Sequence, residues 1–115
     1  MQIVRSERRA SRRYDLHFPV HYRVSQKGAL VRFGTGMTCE IGVEGLSFRC
    51  RKPLPVGAHV ELTIDWPAKH DEIYPLSLQV TGFILRSDPN RTAVRVTSRK
   101  FRVEPVPLED VRVSA

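Results

Sequence analysis

The strongest constraint on the fold is a two-residue alternation of apolar and polar side chains. It is clearest where Val60, Leu62 and Ile64 alternate with Glu61 and Thr63. Such alternation is typical of a β-strand that has one buried face and one exposed face. The same pattern recurs over residues 20–24, 46–50, 76–80 and 94–96. The chain is therefore expected to be built mainly from short strands.

Turn-forming segments separate these strands, for example Gln26-Lys27-Gly28 and the segment from Gly42 to Gly45. Beyond Gly82 the apolar residues fall at Phe83 and Leu85, one position out of the preceding alternation. This change of parity predicts a β-bulge at Gly82, a common way of curling a sheet. About six short strands, with no repeat and no long amphipathic helix, predict an all-β fold. The predicted architecture is a six-stranded antiparallel β-barrel.

The chain of 115 residues is long enough for one domain with one modest core. We predict a flexible basic arm over residues 1–14, the barrel over 15–100 and a short tail over 101–115. No apolar run approaches the length of about 18 residues that spans a bilayer, and no secretory signal pattern is visible. The protein is accordingly expected to be cytoplasmic and not inserted in a membrane.

Positive charge is concentrated in the predicted arm. Residues 1–13 hold five arginines, no lysine and one glutamate, which supplies +4 of the formal net charge of +7. Arginine binds phosphate through two parallel hydrogen bonds, so the arm is interpreted as a clamp for an anionic partner. A solvated basic tail is the plainer alternative. Arg5, Arg8, Arg9 and Arg12 also fit one helix face, which would suit a nucleic-acid-binding arm.

Other chemistries have little support in the sequence. His17 and His21 are four residues apart, but Pro19 between them disfavours a helix, so a metal site is not predicted. No catalytic motif is present, and the chain is not expected to be an enzyme. Cys39 and Cys50 are equidistant from a turn centred between Glu44 and Gly45. They could therefore face each other across a hairpin, although reduced thiols are the default in a cytoplasmic protein.

Two segments together resemble the PilZ domain family. Arg8-Arg9-Ala10-Ser11-Arg12-Arg13 resembles the family's RRxxxR arm, and Phe18-Pro19-Val20 resembles the segment that leads into its first strand. The segment from Glu40 to Phe48 resembles the family's (D/N)xSxxG turn and the apolar strand that follows it. The resemblance extends over roughly residues 7 to 97 and agrees with the all-β pattern.

The resemblance implies a six-stranded barrel that binds cyclic di-GMP, a bacterial second messenger, and requires no other cofactor. It assigns ligand binding to residues of both motifs: Arg8, Arg9, Arg13, Glu40, Gly42 and Gly45. The arginines would contact phosphates and guanine edges, and the turn would contact the other guanine face. A protein partner of unknown identity would receive the signal, and the oligomeric state is left open.

The second motif departs from the family pattern at two positions. Glu40 stands where the family has Asp or Asn, and its carboxylate extends one methylene further. Gly42 stands where the family has serine, which removes a hydroxyl group. Loss of one neutral hydrogen bond costs about 0.5–1.5 kcal/mol, so we expect weakened rather than abolished ligand binding.

Three function hypotheses follow from these observations. The first is a cyclic di-GMP receptor whose arginine arm becomes ordered on the ligand. The second is a degenerate PilZ-like adaptor that binds a protein and no nucleotide. The third is a basic β-barrel that binds nucleic acid, which we regard as the weakest because no aromatic stacking platform is evident.

Overall fold

The computed structural model describes residues 12–71 and 73–104, which form seven antiparallel strands and contain no helix. Among these residues, therefore, no helix could cross a membrane. The strands are β1 (Arg13–Asp15), β2 (Pro19–Gln26), β3 (Ala29–Gly42), β4 (Gly45–Cys50), β5 (His59–His70), β6 (Tyr74–Ser87) and β7 (Thr92–Val103).

Six of these strands close into a ring in the order β3, β2, β5, β6, β7 and β4, with β4 pairing back to β3. The ring confirms the predicted antiparallel, barrel-like architecture. The remaining strand, β1, pairs with the end of β3 over Glu40 to Gly42. β4 pairs with one edge of this end of β3, so β1 pairs with the opposite edge. This is the same edge of β3 that pairs with β2 nearer its start. The described part of the predicted arm is thus an extension of the sheet.

The inside of the ring is filled by the apolar residues that the alternation predicted to face inward. The largest of the fully buried side chains is that of Phe48 on β4, whose ring centroid lies 5.7 Å from that of Tyr22 on β2. The cluster also includes aliphatic side chains from β2, β5, β6 and β7, among them Val20, Val24, Val60, Leu62, Ile64, Leu78, Val80, Ile84 and Val94. Burial of these side chains is the main source of stability for the ring.

The predicted change of parity beyond Gly82 is wrong. Ile84 is buried, whereas Phe83 and Leu85 are exposed, so the inward alternation of β6 continues through Gly82. A register shift does lie beside Gly82, but the extra residue is Thr97 on β7, because Thr81 pairs with Ser98 and Gly82 with Val96. This irregularity leaves the faces of β6 unchanged up to Ile84, and a second shift, with Leu85 as the extra residue on β6, lies between Ile84 and Arg86.

The two cysteines do not oppose each other. Gly36, not Cys39, is the cross-strand partner of Cys50, and both cysteines are free thiols. The turn residues are Val43 and Glu44, so the centre of the turn lies one residue before the position between Glu44 and Gly45 on which the prediction rested. A register irregularity at Cys39 shifts the pairing further. Cys50 instead lies close to Tyr22, and burial, with a smaller contribution from that thiol, raises the pKa of the Tyr22 hydroxyl.

A buried threonine fixes the path by which the chain leaves β1 and enters β2. Thr38 is fully buried, and its Oγ1 accepts a hydrogen bond of 2.8 Å from the Phe18 amide and donates one to the Leu16 carbonyl. The Thr38 amide in turn donates to the Phe18 carbonyl at 2.9 Å. These bonds hold the three-residue link between β1 and β2 against β3, and so they position β1.

Replacing Thr38 with valine should lower the free energy of unfolding by about 1–3 kcal/mol, because the Phe18 amide and the Leu16 carbonyl lose their hydroxyl partner. Urea unfolding measures this change. The matched control is Thr35→Val on the same strand, whose exposed side chain should change stability by less than about 0.5 kcal/mol. Equal effects of the two substitutions would contradict the role given to the Thr38 hydroxyl.

Candidate functional site

The pairing of β1 with β3 brings residues of the two sequence motifs together. Arg13 is the cross-strand partner of Gly42, and Asp15 is the partner of Glu40. The Arg13 side chain extends across Gly42 to Gly45, the first residue of β4. Four of the six predicted site residues therefore meet on one surface: Arg13, Glu40, Gly42 and Gly45. The other two, Arg8 and Arg9, lie outside the described residues.

Gly42 allows β1 to approach the end of β3 closely. A Cβ atom at this position would lie 2.8 Å from Arg13 Cγ and 2.9 Å from the Arg12 carbonyl oxygen. Real Cβ atoms essentially never make contacts this short, so a side chain at residue 42 would displace the arm. The glycine is thus required by the packing of β1, a constraint that was not visible in the sequence.

Gly45 lies directly beneath the guanidinium group of Arg13. A Cβ atom at Gly45 would be 3.2 Å from both Arg13 Nη2 and the Val94 carbonyl oxygen, so a larger residue would push the guanidinium outward. Gly45 is itself buried. The absence of a side chain lets Arg13 lie against the backbone of the turn while its donors remain at the surface.

Glu40 forms an ion pair with an arginine of the same surface. Its Oε1 lies 3.9 Å from Nη1 of Arg91, and its side chain retains a quarter of its exposure. A long, partly exposed ion pair of this kind contributes little stability. The Glu40 carboxylate can therefore exchange Arg91 for hydrogen-bond donors of a ligand at small cost.

Arg13 separates two hollows on the outside of the ring. The first has a volume of about 280 Å³, and its polar lining comes from Arg13, Glu40, Ser47, Arg86 and Arg91. The second, of about 390 Å³, is lined by Arg13, Glu44, Gly45, Leu85, Arg95 and Val96. Together the two hollows carry four arginines and two glutamates, a surplus of positive charge that favours an anionic ligand.

A third, mostly apolar groove lies on the other side of β1. Its volume is about 320 Å³, and its lining includes Arg12, Tyr14, Trp66, Arg99 and Phe101. The Trp66 ring is partly buried and makes edge contacts with Phe18 and Phe101, each at a centroid distance of 5.1 Å. Trp66 therefore packs against the edge of the core.

Some residues of the first hollow could not be recognised from the sequence motifs. Ser47 lies two residues after Gly45, close to the turn. The strand alternation places it on the outward face of β4. Arg86 and Arg91 are far from both motifs in sequence and reach the hollow because β7 pairs with both β4 and β6. A motif of consecutive residues carries no signal for such contacts.

Fold and site together define a small all-β module with an arginine-lined surface site beside an added N-terminal strand. The chain belongs to the PilZ domain family, since the family model for the PilZ domain matches residues 7–112, almost the whole chain. PilZ is a family of binding and effector domains. No curated protein and no solved structure shows a significant match to the chain.

Proposed function

We propose that this protein is a cyclic di-GMP receptor that binds the ligand across the surface formed by Arg13, Glu40, Gly42 and Gly45. The observation that carries the proposal is the position of the Arg13 guanidinium, held over Gly45 between two hollows. A planar guanidinium presented in this way can donate paired hydrogen bonds to a phosphate or to the O6 and N7 atoms of guanine.

The charge of the surface supports an anionic ligand of this size. Four arginines and two glutamates line the two hollows, a net charge of +2. Cyclic di-GMP carries two phosphate charges, so the totals are complementary. The glutamates add hydrogen-bond acceptors. Guanine can donate to them through N1 and N2, whereas the phosphate groups have no donors. The mixed lining therefore suits a guanine nucleotide better than a simple polyanion.

The preceding arginines of the arm, Arg8 and Arg9, are proposed as further ligand contacts. Arg9 is four residues before Arg13, a separation that an extended chain spans in at most about 14 Å. A ligand held at the Arg13 surface is thus within reach of both side chains. Ordering of the arm on an anionic ligand would then alter the surface that a partner protein meets, which is the proposed signal.

The adaptor hypothesis has one specific observation in its favour. The apolar groove beside β1, with Tyr14, Trp66 and Phe101 in its lining, could accept an apolar segment of a partner protein without any nucleotide. Because Tyr14 follows Arg13 on β1, a partner bound in the groove would also respond to movement of this strand. The groove is therefore compatible with a separate adaptor role and with the output of a receptor.

Calorimetric titration with cyclic di-GMP tests the proposal. We expect saturable binding that is stronger than binding of the linear dinucleotide, because only the cyclic ligand is preorganised. Absence of binding at millimolar ligand would reject the receptor and leave the adaptor. Titration with a DNA or RNA oligonucleotide over a salt series separates the third hypothesis, for which affinity would be high at low salt and fall steeply as salt increases.

Gly42→Ser should weaken ligand binding, although it restores the residue typical of the family motif. Overpacking costs about 1–3 kcal/mol, and since β1 is short and can shift, we expect the lower end, or about a fivefold higher Kd. Gly42→Ala is the matched control that adds the Cβ atom without the hydroxyl. If Gly42→Ser instead bound the ligand more tightly than the native chain, the packing role of Gly42 would be wrong.

A further inference from the structure

Ser47 carries a buried hydroxyl for which the described part of the chain provides no hydrogen-bond partner. The residue is 6% exposed, and its Oγ atom is fully buried. Burying a hydroxyl without a partner opposes folding, and most buried side-chain hydroxyls in proteins are paired. Ser47 also lines the smaller of the two hollows beside Arg13. Rotation of the Ser47 side chain about its Cα–Cβ bond would present the hydroxyl to this hollow, where a polar ligand group would supply the missing partner.

The surroundings of Ser47 follow from the strand register. Glu40 on β3 is its partner on one side, and Ala93 on β7 is its partner on the other. Arg86 on β6 is in turn the partner of Ala93. Side chains that are directly opposite on paired strands lie about 5 Å apart, so these four residues form a row across the outer surface.

The row has short side chains in the middle and long ones at its ends. The short side chains of Ser47 and Ala93 form the base of the hollow, between the carboxylate of Glu40 and the guanidinium group of Arg86. Leu85 and Val94 add apolar lining. The volume of about 280 Å³ is just below the range of about 300–1,000 Å³ that is usual for whole ligands. The hollow is therefore suited to one part of a dinucleotide.

Among the parts of a nucleotide, a guanine base matches this lining best. A phosphate would be attracted by Arg13, Arg86 and Arg91, but it would leave the Glu40 carboxylate without a hydrogen-bond donor. Guanine presents N1 and N2 donors to a carboxylate, and its O6 and N7 acceptors suit hydroxyl and guanidinium donors. Adenine has an amino donor in place of O6 and an acceptor at N1, so it would leave the arginines without an acceptor at that position and the Glu40 carboxylate without the N1 donor.

We propose that Ser47 and Arg86, two residues to which the PilZ motifs assign no role, contact the guanine base in this hollow, and that Arg86 favours guanine over adenine. The Glu40 carboxylate accepts hydrogen bonds from N1 and N2 of the base. The Ser47 hydroxyl donates to the O6 and N7 edge, assisted by Arg86, while Ala93 leaves room for the ring. This inference rests on the proposed function for the identity of its ligand.

Ser47→Ala and Ala93→Leu test the pocket by calorimetry with cyclic di-GMP. Loss of the hydroxyl should raise Kd about three- to tenfold, the effect of one neutral hydrogen bond. The leucine should raise Kd at least about tenfold, because it occupies the floor that the base needs. Ser25→Ala and Ala29→Leu, at positions on strands β2 and β3 remote from the hollow, are the matched controls and should leave Kd unchanged.

Thermal unfolding of the free protein separates a binding role of Ser47 from a structural one. Removing a buried hydroxyl that the described residues leave unpaired should leave Tm unchanged or raise it, even though ligand binding weakens. A lower Tm together with weaker binding would overturn the inference, since the hydroxyl would then be stabilising the fold. Native affinity in both Ser47→Ala and Ala93→Leu would overturn it as well.

Parallel titrations with GMP and cyclic di-AMP distinguish failure of the pocket from failure of the receptor. Cyclic di-GMP binding that is preferred over cyclic di-AMP and lost in Ala93→Leu supports both proposals. Unchanged cyclic di-GMP binding in the two variants rejects the pocket and leaves the receptor intact. Binding of GMP alone, lost in Ala93→Leu, rejects the receptor and supports the pocket, and absence of binding by every nucleotide rejects both.

Discussion

Replacing Arg13 with alanine should raise the Kd for cyclic di-GMP at least about a hundredfold. A hydrogen bond to a charged group contributes about 1.5–3 kcal/mol, and a guanidinium that donates two of them contributes enough to account for this loss. The substitution also removes the side chain that lies over Gly45 and borders both hollows. Calorimetry under the conditions used for the native chain measures the change.

Two variants show whether the Arg13 effect arises from its geometry or only from its charge. Arg13→Lys keeps the charge but not the planar, forked donors, so we expect an intermediate Kd. Arg51→Ala removes the same charge from an exposed position outside both hollows and should bind like the native chain. Equal weakening by Arg13→Ala and Arg51→Ala would show that total charge controls binding, which contradicts a specific clamp.

Replacing Phe48 with alanine should lower the free energy of unfolding by about 3–5 kcal/mol, as is usual for a large aromatic residue removed from a core. The side chain is fully buried in the ring and packs against Tyr22. Domains of this size are stable by only about 5–15 kcal/mol, so the variant should unfold at a much lower urea concentration. Equilibrium urea unfolding measures the difference directly.

The control for Phe48 is Phe33→Ala, at a position on β3 that is 72% exposed. Because little apolar surface is buried there, the change in stability should stay within about 0.5 kcal/mol. Similar destabilisation by both substitutions would contradict the position of the core inside the ring. A small effect of Phe48→Ala alone would contradict it equally.

The sequence predicts the fold well where polar residues mark the outer face of a strand. On β5 the apolar Val60, Leu62 and Ile64 alternate with polar neighbours, and all three are buried. On β6 the prediction fails beyond Gly82, because Phe83 and Leu85 are apolar but face outward. Alternation cannot assign the buried face when both faces carry apolar side chains, and only the pairing of β6 with its neighbours decides it.

The candidate site is predictable to the extent that it depends on contacts local to the two motifs. The resemblance to the PilZ motifs implied that Arg13 and Gly45 act together, and the pairing of β1 with β3 places them in contact. Ser47, Arg86 and Ala93 converge only because β4, β7 and β6 are neighbours in the closed ring. Such contacts depend on strand order, which the sequence pattern does not specify.

Gly42 illustrates how a motif comparison and a structure can assign different causes to one residue. Compared with the serine of the family motif, this glycine lacks a hydroxyl group that could bind a ligand. In the structure it is the position on β3 that the Arg12 backbone and the Arg13 side chain approach most closely. Residue 42 therefore has no side-chain hydrogen bond to offer a ligand, and any such bond would come from another side chain. Ser47 carries a nearby hydroxyl that has no partner among the described residues.

The central claim is that cyclic di-GMP binds on the outer surface where β1 lies beside the end of β3 and the turn between β3 and β4. Titration of the ¹⁵N-labelled protein with cyclic di-GMP, followed through amide chemical shifts, tests it most directly. We predict large shifts at Arg13, Glu40, Gly42, Gly45 and Ser47, and none at the hairpin turn formed by Lys27 and Gly28. An unchanged spectrum, or shifts confined to residues away from β1 and the turn between β3 and β4, would contradict the claim.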